Sequence, residues 1–158
     1  MSTHYSEIDV QPGLLLKVYS KNEAQDFEKK WRDIFCKQRQ GANTKAYKWH
    51  IFSFNKYPSA SGIEARNQYL KQKASEFIVL SNDYHLAVST DILPEECNLS
   101  DYYVFPENMA WTMAFTHEDG WLGPYFALHP RYDLLNKENL ERIQKKKEIE
   151  NAKKKGWL

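Results

Sequence analysis

Short apolar runs and amphipathic stretches alternate in the first half of the chain, and short apolar runs dominate the second. Leu14 to Tyr19 (LLLKVY) is apolar and partly β-branched, the pattern of a strand. Ser20 followed by Glu23 makes a capping box. Ala24, Phe27, Trp31, Ile34 and Phe35 then recur on one helical face with the charges opposite, and this helix is expected to end near Gly41. Trp49 to Phe54 (WHIFSF) carries apolar residues on both alternating faces, which predicts a central, covered strand. Pro58 to Gly62 reads as a turn. Ser61 with Glu64 makes a second capping box, opening a helix to about Ala74 with Ile63, Tyr69 and Leu70 as its inner residues.

The pattern then becomes β. Phe77 to Leu80 and His85 to Ser89 flank a polar turn and predict a hairpin. A polar loop from Asp91 to Ser100 leads to a strand at Tyr102 to Phe105. Ala110 to Thr116 and Tyr125 to Leu128 predict a further hairpin around the loop 117–124. From Asn136 to about Lys155 the pattern is helical and weakly amphipathic, with Leu140 and Ile143 placed to dock and Leu134 and Leu135 to help. Two helices followed by a run of strands indicate an α+β fold. The expected architecture is a mainly antiparallel sheet of five to seven strands, with two helices on one face and a C-terminal basic helix. Residues 1–135 form a single α+β domain, and 136–158 a basic helical extension.

Composition adds limits. The 158 residues suit one domain. No apolar run approaches the ~20 residues of a membrane span. The N-terminus, MSTHYSEIDVQPG, has neither the basic nor the apolar segment of a secretory signal. The net charge of +1 conceals a split: eight Lys or Arg against four Glu from Lys137 to Leu158 leave residues 1–136 at −3. The body thus offers no electrostatic footprint for nucleic acid, and only the 137–158 tail could touch it. Cys36 and Cys97 lack metal-ligand spacing and suit a cytoplasmic protein with free thiols. No glycine-rich phosphate loop and no G-x-S-x-G motif occurs, so no cofactor is expected.

The densest chemistry lies in residues 111–126, WTMAFTHEDGWLGPYF, where five aromatics surround Thr116, His117, Glu118 and Asp119. His117 and Glu118 stand where a strand leaves the sheet. They can form an acid–base site there, or they can simply hydrogen-bond and cap the turn. His50, inside WHIFSF, is either a satisfied core histidine or the partner of His117. His50, His85, His117, Glu118 and His129 have no metal-ligand spacing, and no metal site is expected. Gly120 and Gly123 bracket Trp121 and Leu122. The loop either presents Trp121 as an interface anchor or folds it back as a lid.

Two strings carry a resemblance: Trp49-His50-Ile51-Phe52-Ser53, and Trp111-Thr112 followed by Thr116-His117-Glu118 and Gly123-Pro124-Tyr125-Phe126. They resemble a family of small bacterial domains of unknown function with W-H-x-F-S and W-T-x-x-x-T-H-E...G-P-Y-F motifs. The resemblance spans about residues 27 to 128 and implies no activity. It singles out His50, Trp111, Thr116, His117, Glu118, Gly123 and Tyr125.

Three functions are therefore expected in competition. The first is a cytoplasmic protein-binding module, immunity-like or accessory in a bacterial conflict system, engaging another protein through Trp121, Leu122, Tyr125 and Trp111. The second is a hydrolase or nuclease using His117 and His50 as an acid–base pair with Glu118. The third is a structural subunit that oligomerises through its C-terminal helix.

Overall fold

The alternating runs pair into one antiparallel sheet covered on both faces. The structure, a computed structural model, describes residues 8–37, 47–83, 85–118 and 123–156. Its strands are β1 (Val10–Gln11), β2 (Leu15–Val18), β3 (Ala60–Ser61), β4 (Phe77–Ser81), β5 (Ala87–Thr90), β6 (Glu96–Cys97), β7 (Tyr102–Phe105), β8 (Trp111–Phe115) and β9 (Tyr125–Leu128). Its helices are α1 (Lys21–Phe35), α2 (His50–Ser53), α3 (Gly62–Leu70) and α4 (Tyr132–Lys154). Seven strands form the main sheet in the order β2-β5-β4-β7-β8-β9-β3, all antiparallel, and β1 pairs separately with β6. The fold is α+β, as the order of elements predicts. None of the described helices is long and apolar enough to cross a membrane.

Alternation along the central strands feeds two cores. Ile78, Leu80, Tyr103, Phe105, Ala114 and Tyr125 point to one face, against Ala24, Trp31 and Phe35 of α1 and Ile51 and Phe52 of α2. Phe77, Val79, Tyr102, Val104, Trp111, Met113, Phe115 and Phe126 point to the other, against Ala65 and Tyr69 of α3 and Tyr132 and Leu135 of α4. The two expected helices, α1 and α3, therefore lie on opposite faces of the sheet and not on one, and the short α2 joins α1. The Ser20–Glu23 capping box forms as expected.

Several local expectations are corrected by packing. The stretch 49–54 is a helical turn and not a strand. Trp49, Ile51 and Phe52 all bury into the same core, whereas a strand would send Ile51 and Phe52 to opposite faces. Helix α1 ends at Phe35 with Cys36 as its cap, well before Gly41, because the apolar face ends there. Ser61 does not cap α3. Its backbone is committed to the sheet opposite Tyr125. Of the expected inner residues Tyr69 is buried, with Ala65 as its i, i+4 partner, while Ile63 and Leu70 are 78% and 59% exposed. Helix α4 starts at Tyr132, since Tyr132 and Leu135 dock on the second core, while Leu134 and Leu140 stay exposed. The buried residue of α4 is Asn139, whose amide reaches Asn108 Oδ1 at 3.3 Å.

A buried polar bond ties α1 to the sheet across the first core. Trp31 Nε1 donates to Thr112 Oγ1 at 2.9 Å, and both residues are fully buried. Thr112→Val keeps the shape and orphans the indole N–H. It should lower stability by about 1–3 kcal/mol in urea unfolding. An unchanged midpoint would show that the bond contributes nothing.

Candidate histidine–carboxylate site

The site follows from strand register. Tyr102 of β7 lies opposite Phe115 of β8, so Asp101, just before β7, meets the residues just after β8. Asp101 Oδ1 accepts the His117 backbone N–H at 3.1 Å, and both carboxylate oxygens lie 3.0 Å from His117 Nδ1. A third donor, Trp49 Nε1, reaches Asp101 Oδ1 at 3.0 Å. The Asp101 side chain is only 9% exposed, while that of His117 is 37% exposed. A buried carboxylate with these donors fixes the imidazole and places its proton on Nδ1, leaving Nε2 as the open nitrogen. Glu118 stands near that nitrogen, with Oε1 3.7 Å from Nε2, too far for a hydrogen bond.

The helical turn of α2 supplies the rest. His50 Nδ1 lies 2.9 Å from Ser53 Oγ, one turn on. Its ring packs on Trp49 at 4.3 Å between centroids and stacks on Phe54 at 5.1 Å. His117 packs 4.9 Å from Tyr47 and 6.1 Å from Trp49, and both of these rings also neighbour His50, Tyr47 at 6.0 Å. The two motif strings, far apart in sequence, therefore meet on one aromatic wall. Tyr125 closes its inner side, 6.2 Å from Trp49. Gly123 makes the turn into β9 at φ +94°, where a Cβ would press on the Tyr125 ring and Thr116 Cγ2.

The two histidines are pushed in opposite directions. The hydrogen bond to the Asp101 carboxylate raises His117 above its ordinary value of 6.5; desolvation opposes that rise, and the Asp101 and Glu118 charges add to it. Desolvation lowers His50 below 6.5. The Glu118 charge opposes that shift, and the His117 charge adds to it. Diverging environments of this kind are the electrostatic requirement for one ring to hold a proton while its neighbour stays neutral.

Behind Asp101 lies a polar network. The Trp49 backbone N–H donates to the Tyr103 hydroxyl at 3.1 Å, which donates to Asn82 Oδ1 at 2.8 Å. Asn82 N–H donates to the Asp101 carbonyl at 3.2 Å. Lys48, 1% exposed, donates Nζ to the Asn82 carbonyl at 2.9 Å and lies over the Tyr103 ring. Burial pulls its ammonium from 10.5 down to about 7.

Of the residues proposed from sequence, His50, His117 and Glu118 come together. Tyr125 joins their wall but is 6% exposed, and Trp111 is fully buried on the opposite face of the sheet. Trp111 therefore belongs to the second core and not to a binding surface, because alternate strand positions face opposite ways. Trp121 and Leu122 lie outside the described residues. His85 pairs with Asp83, and His129 Nδ1 accepts from the Arg131 backbone; neither joins the cluster. Among the described residues no group of three or more His, Cys, Asp or Glu is arranged to hold a metal ion. Asp101 and Lys48 carried no local signal. Asp101 is joined to its partners across 16 and 52 residues, and only pairing reveals them. A groove of about 590 Å³ between α3 and β9, lined by Tyr57, Glu64, Gln68, Phe126 and Leu128, shares no residue with this cluster.

Fold and site together define a small antiparallel α+β domain with a histidine–carboxylate cluster where β7 enters and β8 leaves the sheet. The chain belongs to the family described as a domain of unknown function, DUF4275, whose model matches residues 4–126. No curated protein and no solved structure matches it.

Two measurements check the electrostatics. In an NMR pH titration the His117 midpoint should lie above 6.5 and that of His50 below it, and Asp101→Asn should bring His117 down. The reverse order would refute the arrangement. Lys48 binds a proton less readily when folded than when unfolded. Between about 7 and 10.5 the unfolded chain thus holds more protons, and stability should rise with pH. Lys48→Met should flatten that rise, as read from urea midpoints across the window; an unaltered slope would contradict it.

Proposed function

We propose that this domain is a cytoplasmic hydrolase of the general acid–base type, with His50 as base and His117 as acid. One observation carries the reading: two imidazoles share an aromatic wall, each with Nδ1 occupied by a neighbour and with environments that push them apart. His50, held neutral, takes a proton from an attacking water. His117 gives its Nε2 proton to the leaving atom, and Asp101 stabilises the imidazolium before transfer. Ser53 Oγ sits on His50 Nδ1 at 2.9 Å and turns back on the His50 carbonyl at 3.4 Å, so it holds the ring and water is taken as the attacking group. Glu118 does not orient His117, which is the task of Asp101; its charge acts on both rings.

The protein-binding reading, with its immunity-like or accessory role, rests on Trp121 and Leu122 between Gly120 and Gly123. Of the two remaining residues, Trp111 is buried and Tyr125 nearly so, which leaves that reading less support. The two differ in what they require. Binding calls for partner capture that depends on Trp121, and chemistry calls for turnover that depends on the histidines.

A panel of chromogenic esters, amides, glycosides and phosphodiesters tests the chemistry. His117→Gln and His50→Gln should each reduce turnover by about 10²–10⁴-fold. The pH profile should be a bell. Its acid limb rises as His50 loses its proton below 6.5, and its alkaline limb falls as His117 loses its own above 6.5. Turnover equal in wild type and both variants would sink the reading.

A further inference from the structure

The surroundings of the two imidazoles have a definite chemical character. Phe54, His50, Tyr47 and His117 form an arc of rings. Phe54 stacks on His50 with planes 17° apart, and Tyr47 stands 6.0 Å from His50 and 4.9 Å from His117. Trp49 backs the arc and is itself 1% exposed. Phe54 is 49% exposed, and Tyr47 and His50 are half-buried, so the arc is open to a ligand.

The carboxylates beside the arc play unequal parts. Asp101 is occupied by its donors from Trp49 and His117. Glu118, 34% exposed, meets only His117 Nε2 at 3.7 Å among the described residues. Its charge remains available at the open end of the arc. The charged groups acting on the two rings are Asp101, Glu118 and the histidines themselves. With His117 protonated the local sum is one negative charge, so a phosphate would add to the excess and a cation would cancel it. The faces of Phe54 and Tyr47 carry the negative end of the ring quadrupole and favour the same partner, above all a weakly hydrated one, while the protonated His117 does not.

We propose that the ligand of this site carries an organic cation, an ammonium or guanidinium with apolar groups around it, seated against the Phe54 and Tyr47 rings beside His50, with Glu118 as counter-ion. The assignment deepens the acid–base reading and rests on it for the bond that is cut. It sets aside the nuclease version of that chemistry in favour of a cationic substrate. The cation subsite is measurable without turnover.

The test uses the full chain and two isosteric probes, benzyltrimethylammonium and benzylphosphonate, followed by NMR. The ammonium should give saturable shifts at Tyr47, His50, His117 and Glu118, and the phosphonate should give none. Glu118→Gln and Tyr47→Leu, each with an otherwise native spectrum, should weaken the ammonium about tenfold. A peptide with one arginine, paired with its citrulline counterpart, separates the sources. Tighter binding than the small ammonium assigns a side-chain cation, and weaker binding a small molecule; both uphold the proposal. No saturable shift at tens of millimolar ammonium, tighter binding of the phosphonate, or affinity indifferent to both substitutions overturns it. Cation binding that survives while His50 and His117 prove irrelevant to turnover removes the acid–base reading alone. Histidine-dependent turnover with phosphonate binding removes the cation assignment alone.

Discussion

The register of three neighbouring strands is the constraint on which the site depends. Ser81 of β4 lies opposite Tyr102 of β7, and Tyr102 lies opposite Phe115 of β8. One step beyond each strand end, the same alignment brings Asn82, Asp101 and the start of the His117 turn side by side. A slip of one residue would carry every side chain of the moved strand to the other face. That slip is opposed by both cores at once, because Tyr103 and Phe105 are as deeply buried on one side as Val104 is on the other. The precision of the Asp101–His117 contact is therefore derived from apolar packing several residues away.

The aromatic wall joins that packing to the chemistry. Trp49 uses its ring to fill the first core, its backbone N–H to reach Tyr103, and its indole N–H to hold Asp101. One residue thus ties the α2 turn to the sheet and sets the carboxylate that sets the histidine. Lys48, next to it, stays under the sheet end against Asn82 and Tyr103, where desolvation weakens its hold on a proton. A buried amine, a largely covered carboxylate and two oppositely shifted imidazoles side by side are a concentration of polar groups of the kind that accompanies functional sites.

Much of the fold was legible from local pattern. The strands at Phe77, Tyr102, Trp111 and Tyr125, the capping box at Ser20 and the amphipathic face of α1 appear close to where the residues predicted them. The failures share one cause. WHIFSF has apolar residues in every register, so its pattern fits a covered strand and a buried helical turn equally. Only the need to send Trp49, Ile51 and Phe52 into the same core decides for the turn. Ser61 has the residue type of a cap but is claimed by β9, and Ile63 has the residue type of a core position but faces solvent.

The site divides along the same line. His50, His117 and Glu118 could be named from the chain alone, since a titratable residue among large aromatics at a strand end is visible in one dimension. That Trp111 and Tyr125 face opposite sides of the sheet, that Asp101 and not Glu118 orients His117, and that Lys48 is buried behind it were decided by the tertiary structure. The physical reason is range. Apolar period and capping act between residues a few positions apart and are written into the sequence. Hydrogen bonds and charge pairs act over a few ångströms between segments that only the pairing of β4, β7 and β8 brings together.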